Sequence, residues 1–117
     1  MSINDKNNLP DYWAINIDYA TTDLRTALQY TIFLSEILDT PVHFVIEQKK
    51  KNNHYHMHGY ISNEKKFTES KLAKLICQWF KGKNWKIKPV FYLQGWKDYM
   101  LKESDRIRCV YGKNVIY

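Results

Sequence analysis

The tightest constraint on the fold lies in His54-Tyr55-His56-Met57-His58-Gly59-Tyr60-Ile61, where histidine recurs at every second position. In an extended strand successive side chains point to opposite faces, so His54, His56 and His58 share one surface while Tyr55, Met57 and Ile61 take the other. The run Val42-His43-Phe44-Val45-Ile46-Glu47 also reads as a strand, and the Lys- and Asn-rich stretch 48–53 between the two predicts a hairpin. Without a bulge to reverse the register, Val42, Phe44 and Ile46 point inward and His43, Val45 and Glu47 join the histidine surface. Two imidazoles and a carboxylate with coordination positions left open suit a divalent ion that must also bind a phosphate oxygen. Strand geometry alone allows either His54 with His56 or His56 with His58 as the imidazole pair; His43 reads as a structural or solvent-facing ring.

The flanking segments supply a scaffold. Tyr12 to Tyr19 alternates as a first strand, with Trp13, Ile15 and Ile17 facing the core and Ala14 and Asn16 the open side, where Asn16 is a candidate nucleic-acid contact. Thr21 or Thr22 is the expected cap of a helix running to about Asp39, with Leu24, Ala27, Leu28, Ile32, Leu34 and Leu38 as its apolar side. The helix ends where Thr40 precedes Pro41. Thr68 caps a second helix to about Phe80, in which Leu72, Leu75, Ile76, Trp79 and Phe80 read as core and Lys71 and Lys74 as solvated. Trp85 to Leu93 predicts a fourth strand, and Pro89 within it argues for an edge or a bend. Gly59 costs strand stability, an expected return being room for a DNA backbone or a helix to approach. Gly95 to about Ser104 predicts a helix, and Ile107 to Tyr117 a closing hairpin.

Composition narrows the partners. At 117 residues the chain reads as one domain with a core, residues 1–10 forming a polar lead-in. No apolar run approaches the roughly 18 residues of a membrane span, and the polar start is unlike a signal peptide. Cys77 and Cys109 form no Cys-x-x-Cys pair, so free thiols and a reducing, intracellular compartment are expected. The net charge of +6, from 18 Lys and Arg against 12 acidic residues, is the footprint of a partner bearing phosphates. Four Trp and nine Tyr point toward single strands, since exposed rings stack on unpaired bases. The densest basic tract, Lys81, Lys83, Lys86 and Lys88, is the candidate backbone contact.

Tyr99-Met100-Leu101-Lys102 places a phenol and an ammonium three apart on the expected last helix, able to face one target. Together these motifs resemble the HUH endonuclease family, in particular the single-tyrosine replication initiators of small circular single-stranded DNA replicons, viral or plasmid. His56-Met57-His58 followed by Gly59 matches the histidine-hydrophobic-histidine signature, and Tyr99 to Lys102 the Tyr-x-x-Lys motif. Glu47 sits where the family often places a third ligand, and Trp13 to Asp18 corresponds loosely to an early strand motif. The motifs span most of the chain in the family order, and the family frame prefers His56 and His58 as ligands, leaving His54 as a flanking residue near phosphate.

The resemblance implies an α+β fold: a central antiparallel sheet of about five strands with helices packed on it, in the RNA-recognition-like, ferredoxin-like manner, and an open face holding the metal and the tyrosine helix. It implies sequence-specific nicking and joining of single-stranded DNA at an origin stem-loop, initiating rolling-circle replication through a 5′-phosphotyrosine link to Tyr99. Mg or Mn held by Glu47, His56 and His58 would assist, and Lys102 would stabilise phenolate or position phosphate. Glu103 reads as a surface charge within reach of the site. A helicase domain or host replication proteins are the implied partners, in a host nucleus for a eukaryotic virus or in the cytoplasm for a bacterial or archaeal replicon. The rival readings are a transposase or mobilisation relaxase of the same superfamily, and a non-catalytic single-strand-binding module on the same fold.

Overall fold

The structure is a computed structural model that describes residues 9–102 and 104–116; Glu103 and most of the lead-in lie outside the described residues. Its elements run β1 (Tyr12–Asp18), α1 (Leu24–Leu38), β2 (Val42–Gln48), β3 (Tyr55–Ser62), α2 (Glu69–Trp79), β4 (Asn84–Val90), α3 (Leu93–Met100), β5 (Arg108–Tyr111) and β6 (Asn114–Ile116). The strands form a six-stranded antiparallel sheet in the order β4-β1-β3-β2-β5-β6. The α+β class and antiparallel sheet match the expectation, with the short β6 completing the closing hairpin. None of the helices is long and apolar enough to cross a membrane among the described residues.

Period-two alternation sorts the sheet into two faces. Trp13, Ile15, Ile17, Val42, Phe44, Met57 and Ile61 are buried beneath α1 and α2, together with Ala27, Leu34, Leu38, Leu72, Ile76 and Phe80. A smaller cluster on the opposite face joins Val45 and Tyr60 to Met100, with Tyr12, Leu93 and Trp96 packed around it. Leu93, Trp96 and Met100 recur at helical spacing, so α3 lays one stripe on the otherwise polar face. The tyrosine helix is thereby seated beside the histidine strand.

Several local expectations are corrected. Asp23 caps α1, its carboxylate accepting from Thr26 N at 3.0 Å, whereas Thr21 Oγ1 accepts from Asp23 N at 3.1 Å. Leu24 is exposed, because the buried stripe of α1 begins at Ala27. Thr68 does cap α2. Trp79 is half-exposed rather than core: the inward stripe runs Leu72, Ile76 and Phe80, and Trp79, off that stripe, meets Phe33 edge-on at 5.6 Å. Pro89 is accommodated in a continuous β4 at the sheet edge, where a missing N–H costs no ladder bond. The last helix starts at Leu93 and stops at Met100, so Lys102 lies in the turn beyond it.

Gly59 also differs in its reason. It sits on the core face, where a Cβ would lie 2.6 Å from the backbone oxygen of His43 and 2.9 Å from Met57 Sδ. The room it provides serves the approach of β2, not a ligand. The helix nevertheless reaches this residue through its carbonyl, which accepts from Trp96 Nε1 at 3.1 Å.

Candidate functional site

The open face is assembled by register. Antiparallel pairing sets His56 opposite Glu47 on β2 and opposite Asp18 on β1, and sets His58 opposite Val45 and Asn16. Residues directly opposite share a face, so an imidazole row is flanked on each side by a carboxylate. Glu47 Oε1 lies 3.2 Å from His58 Nε2, while Asp18 takes the other two rings, with Oδ2 3.5 Å from His56 Nε2 and Oδ1 3.6 Å from His54 Nδ1. His54 and His56 thus share Asp18, and His58 is the ring beside Glu47. Its Nδ1 is buried without a hydrogen-bond partner.

Asn16 turns out to be a support for His58. Its Oδ1 lies 2.6 Å from His58 Nδ1, a contact that orients the ring with Nε2 toward Glu47. Burial holds the His58 pKa below its ordinary value against the opposing pull of Glu47. His56 is lowered in the same way, by burial against Asp18 and Glu47. The other nitrogen, Nε2, meets Glu47 Oε1 at hydrogen-bond distance, so both ring nitrogens of His58 have a partner on a neighbouring strand. Glu47 and His58 are therefore the one expected donor pair in direct contact, His56 lies nearest Asp18, and no group of three His, Cys, Asp or Glu that could hold an ion is gathered among the described residues. Lys49, a residue the sequence did not single out, donates to the same Glu47 oxygen at 3.1 Å.

Tyr99 arrives from α3. Its ring stands edge-on to His58 with centroids 6.1 Å apart and stacks on Trp96 at 5.1 Å and 20°. Because Trp96 is itself tied to Gly59, the phenol is held beside the histidine strand while remaining 51% exposed. Lys102 shares a small pocket of about 160 Å³ with Glu47, Lys49, His58 and Tyr99. Leaving the helix has not removed it from the site.

A larger open cleft of about 980 Å³ runs from His56, His58 and Tyr99 past Asn16 and Asp18 to Lys86, Lys88, Phe91 and Tyr92. Pairing of Lys86 with Asn16 and Lys88 with Ala14 puts both lysines on the site face. The basic tract is divided: Lys83 lies 4.7 Å over the Tyr30 ring, beside the helical layer, and neither Lys81 nor Lys83 lines the cleft. Only side chains within β4 obey the alternation that aims Lys86 and Lys88 at the site. His43 stacks on Tyr60 at 4.6 Å, a structural role. Cys77 is exposed and Cys109 buried, and both are free.

Asp18, Lys49 and Trp96 are the site neighbours that sequence reasoning missed. Asp18 carried one available signal, its position at the end of a strand on the Asn16 face. No family model, curated protein or solved structure matches this chain.

Proposed function

We propose that this chain is a metal-dependent single-stranded DNA nicking and joining enzyme with a tyrosine nucleophile, of the kind the HUH replication initiators represent. The observation that carries the reading is the convergence of Tyr99, on the last helix, with His58 and Glu47, on the central hairpin. The net charge of +6 and the cleft holding Lys86 and Lys88 favour a phosphate-bearing substrate.

In this mechanism the Tyr99 oxygen attacks the scissile phosphorus, the Tyr–O–P bond forms as the P–O3′ bond breaks, and the 3′ oxygen leaves to become a hydroxyl. The phenol surrenders its proton as it attacks, a step that a cation or a proton acceptor nearby assists. Lys102, in the same pocket, brings positive charge to the position of the phosphate. Trp96 holds the ring, and Asn16 keeps His58 Nε2 directed toward Glu47. A Mg or Mn ion bound by Glu47, His56 and His58 would supply Lewis-acid polarisation of a phosphate oxygen. Attack by a second 3′-hydroxyl on the phosphotyrosine reverses the sequence and joins strands, so no nucleotide cofactor is required. Initiation of rolling-circle replication at an origin stem-loop is the role this chemistry suits, with a helicase as the implied partner.

The test is a denaturing gel of protein incubated with origin-like oligonucleotides and Mn. A slow covalent band is expected, lost in Tyr99→Phe while ordinary binding persists. Binding without any band across a sequence-randomised pool would instead establish the non-catalytic binding module.

A further inference from the structure

Phe91 and Tyr92 are 75% and 73% exposed at the junction of β4 and α3. Tyr92 occupies the N-cap position of α3 yet makes no side-chain cap bond, where Ser, Thr, Asp or Asn would stabilise the helix start. Its ring instead lies across Gly95, where an added Cβ would sit 2.9 Å from a ring carbon. One aromatic face is thus supported by the first turn of the helix.

We infer that Phe91 and Tyr92 form a stacking platform for unpaired nucleotides of single-stranded DNA next to the phosphate presented to Tyr99. Both rings line the same cleft as Tyr99, Lys86 and Lys88, so bases on the rings and phosphates on the lysines belong to one continuous strand. Duplex DNA does not fit, because its bases already stack on each other and offer no free face. A ring already held against backbone loses little freedom on binding, which favours affinity. The inference rests on the nuclease reading for the placement of the strand, but the platform is tested separately from the chemistry.

The test uses Tyr99→Phe protein, which cannot link to DNA, and fluorescein-labelled oligothymidylate followed by anisotropy. Replacing both rings, Phe91→Ala with Tyr92→Ala, is expected to weaken binding by at least about 5- to 150-fold, the range of a single base stack. Gly95→Ala, which favours the helix but displaces the Tyr92 ring, is expected to weaken binding with no fall in melting temperature. An abasic spacer scanned along the oligonucleotide should reproduce the loss at one or two positions in the parent protein and add nothing in the double variant. Binding by the double variant within about twofold of the parent overturns the platform. Equal loss at abasic and intact oligonucleotides would overturn it too, since the rings would then not be meeting bases. A covalent band from the chain with Tyr99 intact, formed alongside unchanged binding by the ring variants, leaves the nuclease and removes the platform. No band alongside weakened binding does the reverse.

Discussion

His58 is gripped from two strands at once: Asn16 Oδ1 on β1 lies 2.6 Å from its Nδ1, and Glu47 on β2 faces its Nε2 at 3.2 Å. The imidazole is therefore held in one orientation by both neighbouring strands. Asn16→Ala should weaken Mn binding by about 10- to 100-fold, the usual consequence of removing the partner that orients a ligating histidine. Titration calorimetry with Mn on the folded protein measures this directly, and unchanged affinity would remove Asn16 from the ligand support.

Trp96 connects α3, which carries Tyr99, to the strand that carries the histidines. Trp96→Phe keeps a ring for Tyr99 to stack on but loses the bond to the Gly59 carbonyl, and Trp96→Ala loses both. Covalent adduct formation at saturating oligonucleotide should fall in that order, by up to about 100-fold for alanine, since small misplacements of a reacting group are costly. An unaltered single-turnover rate in Trp96→Ala would show that the indole does not position Tyr99.

Gly59→Ala forces a methyl group against the backbone of β2, 2.6 Å from the His43 oxygen. Backbone cannot swing aside as a flexible side chain can. A loss of about 1–3 kcal/mol is expected in chemical denaturation, typical of overpacked interiors. Wild-type stability would mean that β2 and β3 separate more readily than their pairing indicates.

Stability should decline in mild acid. Burial is the leading cause that lowers the pKa of His43, His56 and His58, with Lys97 adding to it at His43. The unfolded chain therefore binds protons more readily than the folded one, and stability present above the unfolded value of about 6.5 is lost as pH falls through the lower folded values. Asp23 and Asp39, lowered chiefly by hydrogen bonds from Thr26 and Lys65 respectively, lose their contributions only at more acidic pH, below the ordinary carboxylate range. Urea midpoints measured between about pH 7.5 and pH 5 should shift downward, and His43→Phe, which keeps a ring on Tyr60, should flatten the slope. A metal-free protein whose midpoint stays constant across that interval contradicts the assignment.

Much of the open face could be read from residue order because strand alternation is local. His56 and His58 share a surface whatever surrounds them, and the Val42 to Glu47 run fixes the companion face once the hairpin has no bulge; His54 precedes β3 and joins them through Asp18. The core stripes of β1 and the Thr68 cap were legible for the same reason. The division of the basic tract was less so, because Lys81 and Lys83 precede the strand and its alternation does not govern them.

What the chain could not declare by itself was which distant groups meet. Asp18 reaches His54 and His56, and Asn16 reaches His58, only because β1 pairs with β3 across more than 35 intervening residues, and no local periodicity encodes that register. The place of Tyr99 was decided likewise, by Leu93, Trp96 and Met100 burying themselves on Val45 and Tyr60 and so turning an early-ending helix onto the polar face. Amino-acid order determines which side chains share a face; tertiary burial determines which faces touch, because apolar area is removed from water only when separate elements come together.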